Sequence, residues 1–180
     1  MSSATRGPDG VVIRDAVSQD WDGIYPFYAA IMVEGRTFPF PERQSLEEAR
    51  PWWMEQPPGK TVVAVDDDGV IVGSAKMGPN RPGRGSHVAT ASFIVDPAHQ
   101  GKGIGRALGE YVIDWCLSRR FRGIQFNAVV ESNRAAVQLY RSLGFEVIGT
   151  VPEAFDHPDE GLVGLHVMYL RLNPAAGSYV

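Results

Sequence analysis

The sequence predicts a domain of the α/β (α+β) class, and three observations carry that prediction. Segments of strand type and helical type follow one another along residues 11–172 in the order β-α-α-β-β-β-α-β-α-β-β. Among them, ASFIVDPAHQGKGIGRALG (residues 91–109) joins an apolar strand to a helix through a glycine-rich turn. The composition is that of a packed chain, 44% hydrophobic and 21% charged over 180 residues, a length suited to one domain with a real core. Residues 1–10 and 173–180 are expected to be disordered ends, leaving 11–172 as the single domain.

Val11-Val12-Ile13 is a short first strand. Ser18 can cap the helix that follows, with Asp20 and Asp22 in its first turn, where the helix dipole favours negative charge. Pro26 either kinks this helix or marks its beginning. Residues 34–41 read EGRTFPFP, a proline-stiffened loop with more aromatic surface than a turn requires, and such loops often line pockets. Ser45-Leu46-Glu47-Glu48 is a capping box that opens a second helix through Trp52-Trp53-Met54, with Pro51 inside it. Residues 61–65 and 70–75 are strands joined by the turn Asp66-Asp67-Asp68-Gly69, and turn chemistry explains that acidic run without a metal. Residues 80–86, NRPGRGS, form a flexible basic loop before the strand at 87–96. Beyond the helix after the glycine turn, 123–130 is a strand, Asn133 caps a helix over 134–143, and Gly144 stops it. Strands at 145–151 and 163–170 close the sheet, with a loop over 152–161 between them.

Composition excludes several classes of function. No apolar run approaches the length of a membrane span, and the polar start MSSATRGPDG lacks the apolar core of a secretory signal. A cytoplasmic protein with no membrane partner is therefore expected. The single cysteine, Cys116, cannot form an internal disulfide and reads as a buried helix thiol. A net charge of −4 argues against a nucleic-acid partner. Charge is unevenly spread: residues 81–122 hold seven Lys/Arg against three Asp/Glu, and the rest of the chain carries eight net negative charges. A basic segment centred on a glycine turn suits a small polyanion.

The turn itself makes an anion site. Phe93, Ile94 and Val95 end the strand, and Asp96-Pro97 closes it, because proline cannot continue a ladder. Gln100, Gly101, Lys102, Gly103, Ile104, Gly105 and Arg106 follow, and Ile104, Leu108, Tyr111, Val112 and Trp115 recur at helical spacing. The first turn of a helix carries unpartnered N–H groups at the positive end of its dipole, and glycines let a phosphate approach them. Neither the dinucleotide pattern G-x-G-x-x-G nor the ATP pattern G-x-x-x-x-G-K-[ST] fits. The segment instead resembles the acyl-coenzyme A signature Q/R-x-x-G-x-G/A of the GCN5-related N-acetyltransferases, met at Gln100, Gly103 and Gly105. A second pattern of that family, N-x-x-A-x-x-L-Y-x-x-x-G-F, is met at Asn133, Ala136, Leu139, Tyr140, Gly144 and Phe145.

The resemblance covers residues 11–172. It implies a central mixed, mostly antiparallel twisted sheet of about seven strands, splayed at the acyl-CoA cleft and flanked by about four helices. It also implies acetyl-CoA as cosubstrate, with its pantetheine arm on the backbone of Phe93, Ile94 and Val95 and its diphosphate on Gly101 to Arg106. Asn133 would bond the cofactor, and Tyr140 would stand beside the thioester sulfur as general acid. No metal is implied. The acceptor would be a small-molecule amine, and a homodimer is a further expectation.

Within the family the chain resembles two branches. The phosphinothricin-type acetyltransferases carry a glutamate where alignment places Thr90, so their base cannot be copied. Candidates for the base are Glu34, Glu131, His87 and His166, with Glu34 preferred for its place at the Phe-Pro loop. The fungal acetyltransferases of proline analogues share F-N-x-V-x-x-x-N, met here by Phe126, Asn127, Val129 and Asn133. There asparagines hold a small amino acid, and asparagine is unusual in a strand. Phe38, Thr90 and Asn127 are accordingly the expected acceptor contacts, and Phe38, Phe40, Trp52 and Trp53 suggest a closed aromatic pocket. The alternatives are a protein or peptide acetyltransferase with an open acidic groove, and a non-catalytic CoA-binding module.

Overall fold

The computed structural model describes residues 5–173. Eight strands form one sheet in the order β1-β2-β3-β4-β5-β6-β8-β7: β1 (Thr5–Arg6), β2 (Val12–Asp15), β3 (Lys60–Val65), β4 (Ile71–Pro79), β5 (Val88–Val95), β6 (Gly123–Val130), β7 (Glu146–His157) and β8 (Gly161–Arg171). Four helices flank it: α1 (Trp21–Glu34), α2 (Leu46–Trp53), α3 (Ile104–Ser118) and α4 (Arg134–Ser142). Every neighbouring pair is antiparallel except β5 and β6. The mixed, mostly antiparallel sheet is as expected, with one strand more.

The extra strand lies in the start that was expected to be disordered. Thr5 and Arg6 pair with Ile13 and Val12, so structure begins ahead of residue 11. A strand of two residues is too short to show a period, so no sequence pattern announces it. Residues 1–4 and 174–180 of the expected disordered ends lie outside the described residues.

Both faces of the sheet are buried. Along β3, Val62 and Ala64 point to one side, where they pack with Leu108 and Val112 of α3. Val63 points to the other, among Trp21, Ile24 and Tyr28 of α1 and Trp53 of α2. This is the side-chain alternation of a strand, and burying each of these large side chains is worth roughly 1.5–3 kcal/mol. Trp53 is fully buried, its Nε1 donating to Ser74 Oγ at 2.9 Å.

Local chemistry sets the helix ends. The capping box at Ser45 is present, with Glu48 N donating to Ser45 Oγ and Ser45 N to Glu48 Oε2. Ser18 does not cap α1. Its hydroxyl instead accepts from Arg50, and Asp20 precedes the helix, holding Arg14 and the Val17 N–H. Pro26 lies within α1, which runs on to Glu34 and stops at Gly35 with φ 66°.

The expected loop over 152–161 is mostly strand. β7 continues to His157 and pairs with β8 down to His157↔Gly161, and a bulge between Val151 and Phe155 takes up Pro152 and Glu153, the latter at φ 52°. Proline and a positive φ read as loop in sequence, yet both are at home in an edge-strand bulge. At the centre of the sheet, β5 and β6 share only the pairs Val88↔Gly123 and Ala89↔Ile124. Beyond these the two strands part.

Candidate functional site

The parting of β5 and β6 opens a cavity of about 800 Å³. Phe93, Ile94 and Val95 line it from β5, while Phe126 to Val130 line it from β6. Gln100, Asn133 and Tyr140 border one end; Glu34, Phe38, Phe40, Arg81, Thr90 and Asn127 also contribute to its wall. Of the residues expected at the site, the cavity lining holds Glu34, Phe38, Thr90, Phe93 to Val95, Gln100, Asn127, Asn133 and Tyr140, while Gly101 to Arg106 follow on from Gln100 outside it.

Beyond Gln100, next to the cavity, main chain is the material on offer. Gly101 and Gly103 stand at φ 77° and 80°, where a side chain would be strained. None of the N–H groups from Gly101 to Arg106 has a partner among the described residues, and the first helical bond is Ala107 N to Gly103 O at 3.0 Å. These free donors, at the dipole's positive end, fit a diphosphate. The side chains of the segment do other things. Ile104 is buried in the core against Gly73, and only its backbone is available to a ligand. Arg106 reaches Ser142 Oγ at 2.6 Å and Glu110 at 3.5 Å, while Lys102 has no partner among the described residues. Asn133 Oδ1 is spent on capping α4, accepting from Ala136 N at 3.2 Å, which leaves its amide N–H groups free to donate.

Tyr140 sits where the strands diverge. Its ring centroid lies 5.8 Å from Phe93 of β5 and 4.7 Å from Phe126 of β6. The hydroxyl has no hydrogen-bond partner among the described residues, and burial pushes the phenol well above its ordinary value. It therefore stays protonated and can donate.

The acceptor side is made of side chains from the end of α1, the loop after it and the strands β5 and β6. Phe38 packs against Phe40 with its ring tilted by 32° (5.4 Å) and stands edge-on to Trp53 (6.1 Å). The expected wall of four rings is a wall of two. Trp53 is core beneath Phe38, and Trp52 is 43% exposed against Phe40, outside the cavity lining. Glu34, at the end of α1, is exposed and pairs with Arg36 at 3.3 Å; Arg36 also pairs with Asp159 at the tip of the β7–β8 hairpin. Thr90 lies opposite Gly78 and faces the cavity. Asn127 sits in a bulge where β6 breaks register with β8, between Phe126 and Val129. That bulge explains an asparagine in a strand.

The other candidate bases stand apart from the cavity wall. Glu131 accepts from Gly164 N at 2.5 Å, His166 is paired with Thr150 Oγ1 at 2.7 Å, and His87 is exposed in a turn. Sequence reading missed the 80–86 loop, expected to be a flexible connection. Arg81, Pro82, Gly83 and Ser86 all line the cavity. Lys76 and Glu55 line it too, paired with each other at 3.2 Å. Charge without periodicity was the only signal from the 80–86 loop. Among the described residues no group of His, Cys, Asp and Glu could hold a metal ion, and no helix is long and apolar enough to cross a membrane.

Comparisons with known proteins bear on the family and the fold. The model of the acetyltransferase (GNAT) family matches residues 24–145. A GCN5-related N-acetyltransferase structure from Kribbella flavida superposes with a TM-score of 0.89 at 53% identity, covering 92% of this chain and 100% of that one. A Salmonella typhimurium acetyltransferase structure with its cofactor acetyl-CoA has a TM-score of 0.76 at 26% identity, covering 93% and 97%. The L-methionine sulfoximine/L-methionine sulfone acetyltransferase of Salmonella typhimurium is 32% identical over 127 residues, 70% of this chain and 71% of that protein. The chain spans less of two other curated relatives, 64% and 13% of their lengths.

Proposed function

The chain belongs to the acetyltransferase (GNAT) family, and from that premise we propose that it transfers an acetyl group from acetyl-CoA to the amine of a small amino acid or amino-acid analogue. One observation carries the choice of acceptor. The cavity wall holds Phe38 and Phe40 together with Arg81, whose only hydrogen bonds among the described residues go to Asn80 O and Oδ1. Of the other charged groups there, Lys76 is paired with Glu55 and Glu34 with Arg36. An apolar wall with one cation lacking an acid fits a molecule that has a side chain and a carboxylate.

The chemistry needs little more than positioning. The free amine forms a bond to the acetyl carbon, the carbon–sulfur bond breaks, and the sulfur leaves with a proton while the amine loses one. Gly101, Gly103 and the N–H groups through Arg106 hold the diphosphate, and the unpaired edge of β5 receives the pantetheine arm. A β5 N–H faces the carbonyl oxygen as negative charge develops there. Tyr140, neutral and unpartnered, donates to the departing sulfur. Glu34 takes the amine proton from the rim, directly or through water. The reading includes a cytoplasmic homodimer, supported by Ile148, Val151 and Leu162, exposed on the β7–β8 hairpin.

The test is thiol release from acetyl-CoA in the presence of a panel of L-amino acids, their analogues, free amines and intact proteins. Turnover with amino acids supports the proposal. Turnover confined to protein lysines would remove it, and acetyl-CoA binding with no turnover at all would point to a binding module.

A further inference from the structure

The bulge that puts Asn127 on the cavity wall also commits its amide to a neighbour. Asn127 Nδ2 donates to Asn80 Oδ1 at 2.7 Å, and Gln125 Nε2 donates to Asn127 Oδ1 at 2.9 Å. Asn80 directly follows β4, and its N–H donates to Val88 O at 2.8 Å, closing the base of the 80–86 loop. Arg81 Nη1 donates to Asn80 O at 3.0 Å, with Asn80 Oδ1 at 3.5 Å. The turn is packed on this arginine: a Cβ at Gly85 would come 2.8 Å from Arg81 Cβ. A chain of side chains thus runs from Gln125 through Asn127 and Asn80 to Arg81. It spans β5, which lies between β4 and β6, from the level of Val88 to a point on β6 beyond its last pair with β5.

We propose that Asn127 is a positioning residue, a strut that acts through Asn80 to hold Arg81 at the acceptor end of the cavity. This rests on the reading that Arg81 receives the acceptor's carboxylate. The loop contains Gly83 at φ 61° and has no strand or α-helix of its own, so left alone it would sample many arrangements. Fixing it before the acceptor arrives removes an ordering cost from each binding event. The competing role, direct contact of Asn127 with the acceptor, must share an amide that already spends one donor and one acceptor.

The two roles separate in a double-mutant cycle with Asn127→Asp, Asn127→Ala, Asn80→Ala and the Asn80→Ala/Asn127→Ala pair. Asn127→Asp keeps the shape and still accepts from Gln125, but loses the donor to Asn80. The assay reads KM for L-amino acids, for the same compounds lacking the carboxylate, and for acetyl-CoA. A second measurement needs no turnover: the rate of tryptic cutting after Arg84 in the acceptor-free protein, since Arg81 precedes proline and resists trypsin. Each single change should raise the amino-acid KM about three- to tenfold, the range one exposed hydrogen bond sets. The carboxylate-free amines and acetyl-CoA should keep their KM, and cutting after Arg84 should speed up. The pair should be no worse than Asn80→Ala alone. Losses that multiply in the pair would overturn the strut in favour of direct contact, as would an unchanged cutting rate in Asn127→Asp. If the wild type acetylates no amino acid, the acceptor reading falls, and the cutting rates still decide the strut.

Discussion

At the Gln100 end of the cavity and just beyond it, the groups offered to a ligand are main-chain N–H groups from Gly101 to Arg106 and the unpaired edge of β5. At the other they are the side chains of Glu34, Phe38 and Arg81, all at or beyond the ends of regular elements, with Asn127 proposed to brace Arg81 from a bulge. The first kind of site depends on φ angles and tolerates changes of side chain. The second depends on side chains and tolerates changes of backbone. A donor common to many enzymes can be held by the first, while acceptors that differ are selected by the second.

The largest expected effect attacks the backbone end. Gly103→Val places a side chain at φ 80°, and its Cβ would meet Pro8 Cγ at 3.4 Å. Displacing two charge-assisted hydrogen bonds at about 1.5–3 kcal/mol each predicts a loss of acetyl-CoA affinity of roughly 10²-fold or more by calorimetry. Gly101→Ala separates strain from blockade, because its Cβ would meet nothing within 4 Å and it stands at the similar φ of 77°. It should cost some stability and far less affinity. Equal losses from both would show that strain, not access, governs this end.

Next comes Tyr140→Phe, at the junction. We expect kcat to fall about 10²-fold, the low end for a lost general acid, with acetyl-CoA affinity preserved. Because burial raises the phenol, deprotonation of Tyr140 should not limit the wild-type rate below pH ~10. Single-turnover rates unchanged by the substitution would reduce Tyr140 to a packing residue.

Glu34→Gln should be milder. An exposed carboxylate already paired with Arg36 can be replaced by water, so we expect about a tenfold loss in kcat/KM for the acceptor, below the usual 10²–10⁴. A larger loss would make the rim a site of committed chemistry. The smallest effect on activity, none, is expected at Asp20, which is outside the cavity lining. Arg14 and the Val17 N–H hold its carboxyl below the ordinary aspartate value. That stability is present above the ordinary value and lost as pH falls through the lowered one. Asp20→Asn should cost about 1–2 kcal/mol at pH 7, discounted for the half-exposed Arg14, or roughly 2–8 °C in Tm. The gap to wild type should close as pH drops below ~4 in thermal melts.

The same division governs what could be read from sequence. Gly101, Gly103 and the Asn133–Tyr140 helix were legible because local backbone demands leave residue-type signatures at fixed spacing. The capping box at Ser45 was legible for that reason too. Arg81 was not, since nothing local distinguishes a loop arginine that faces a cavity from one that faces water. Trp52 and Trp53 are adjacent and look alike in sequence, yet one is a core residue and the other half-exposed. That difference is decided by Phe38, Ser74 and Phe40, which are distant along the chain. Long-range pairing also hid Thr5–Arg6 and the bulged length of β7.

The two register pairs that join β5 to β6 have a consequence beyond the cleft. The β1–β5 and β6–β8–β7 leaves of the sheet are joined by these two pairs and by the core beneath α3, and a cosubstrate bound between them, as in the function proposed above, is a clasp as well as a reactant. By mass action, a ligand at a hundred times its Kd adds about 2.7 kcal/mol to the free energy of unfolding. Melts at stepped acetyl-CoA concentrations should rise accordingly, and a flat Tm would mean the leaves are not clasped. On this account the cosubstrate protects the fold that binds it, and proteolysis in solution should slow as acetyl-CoA is added.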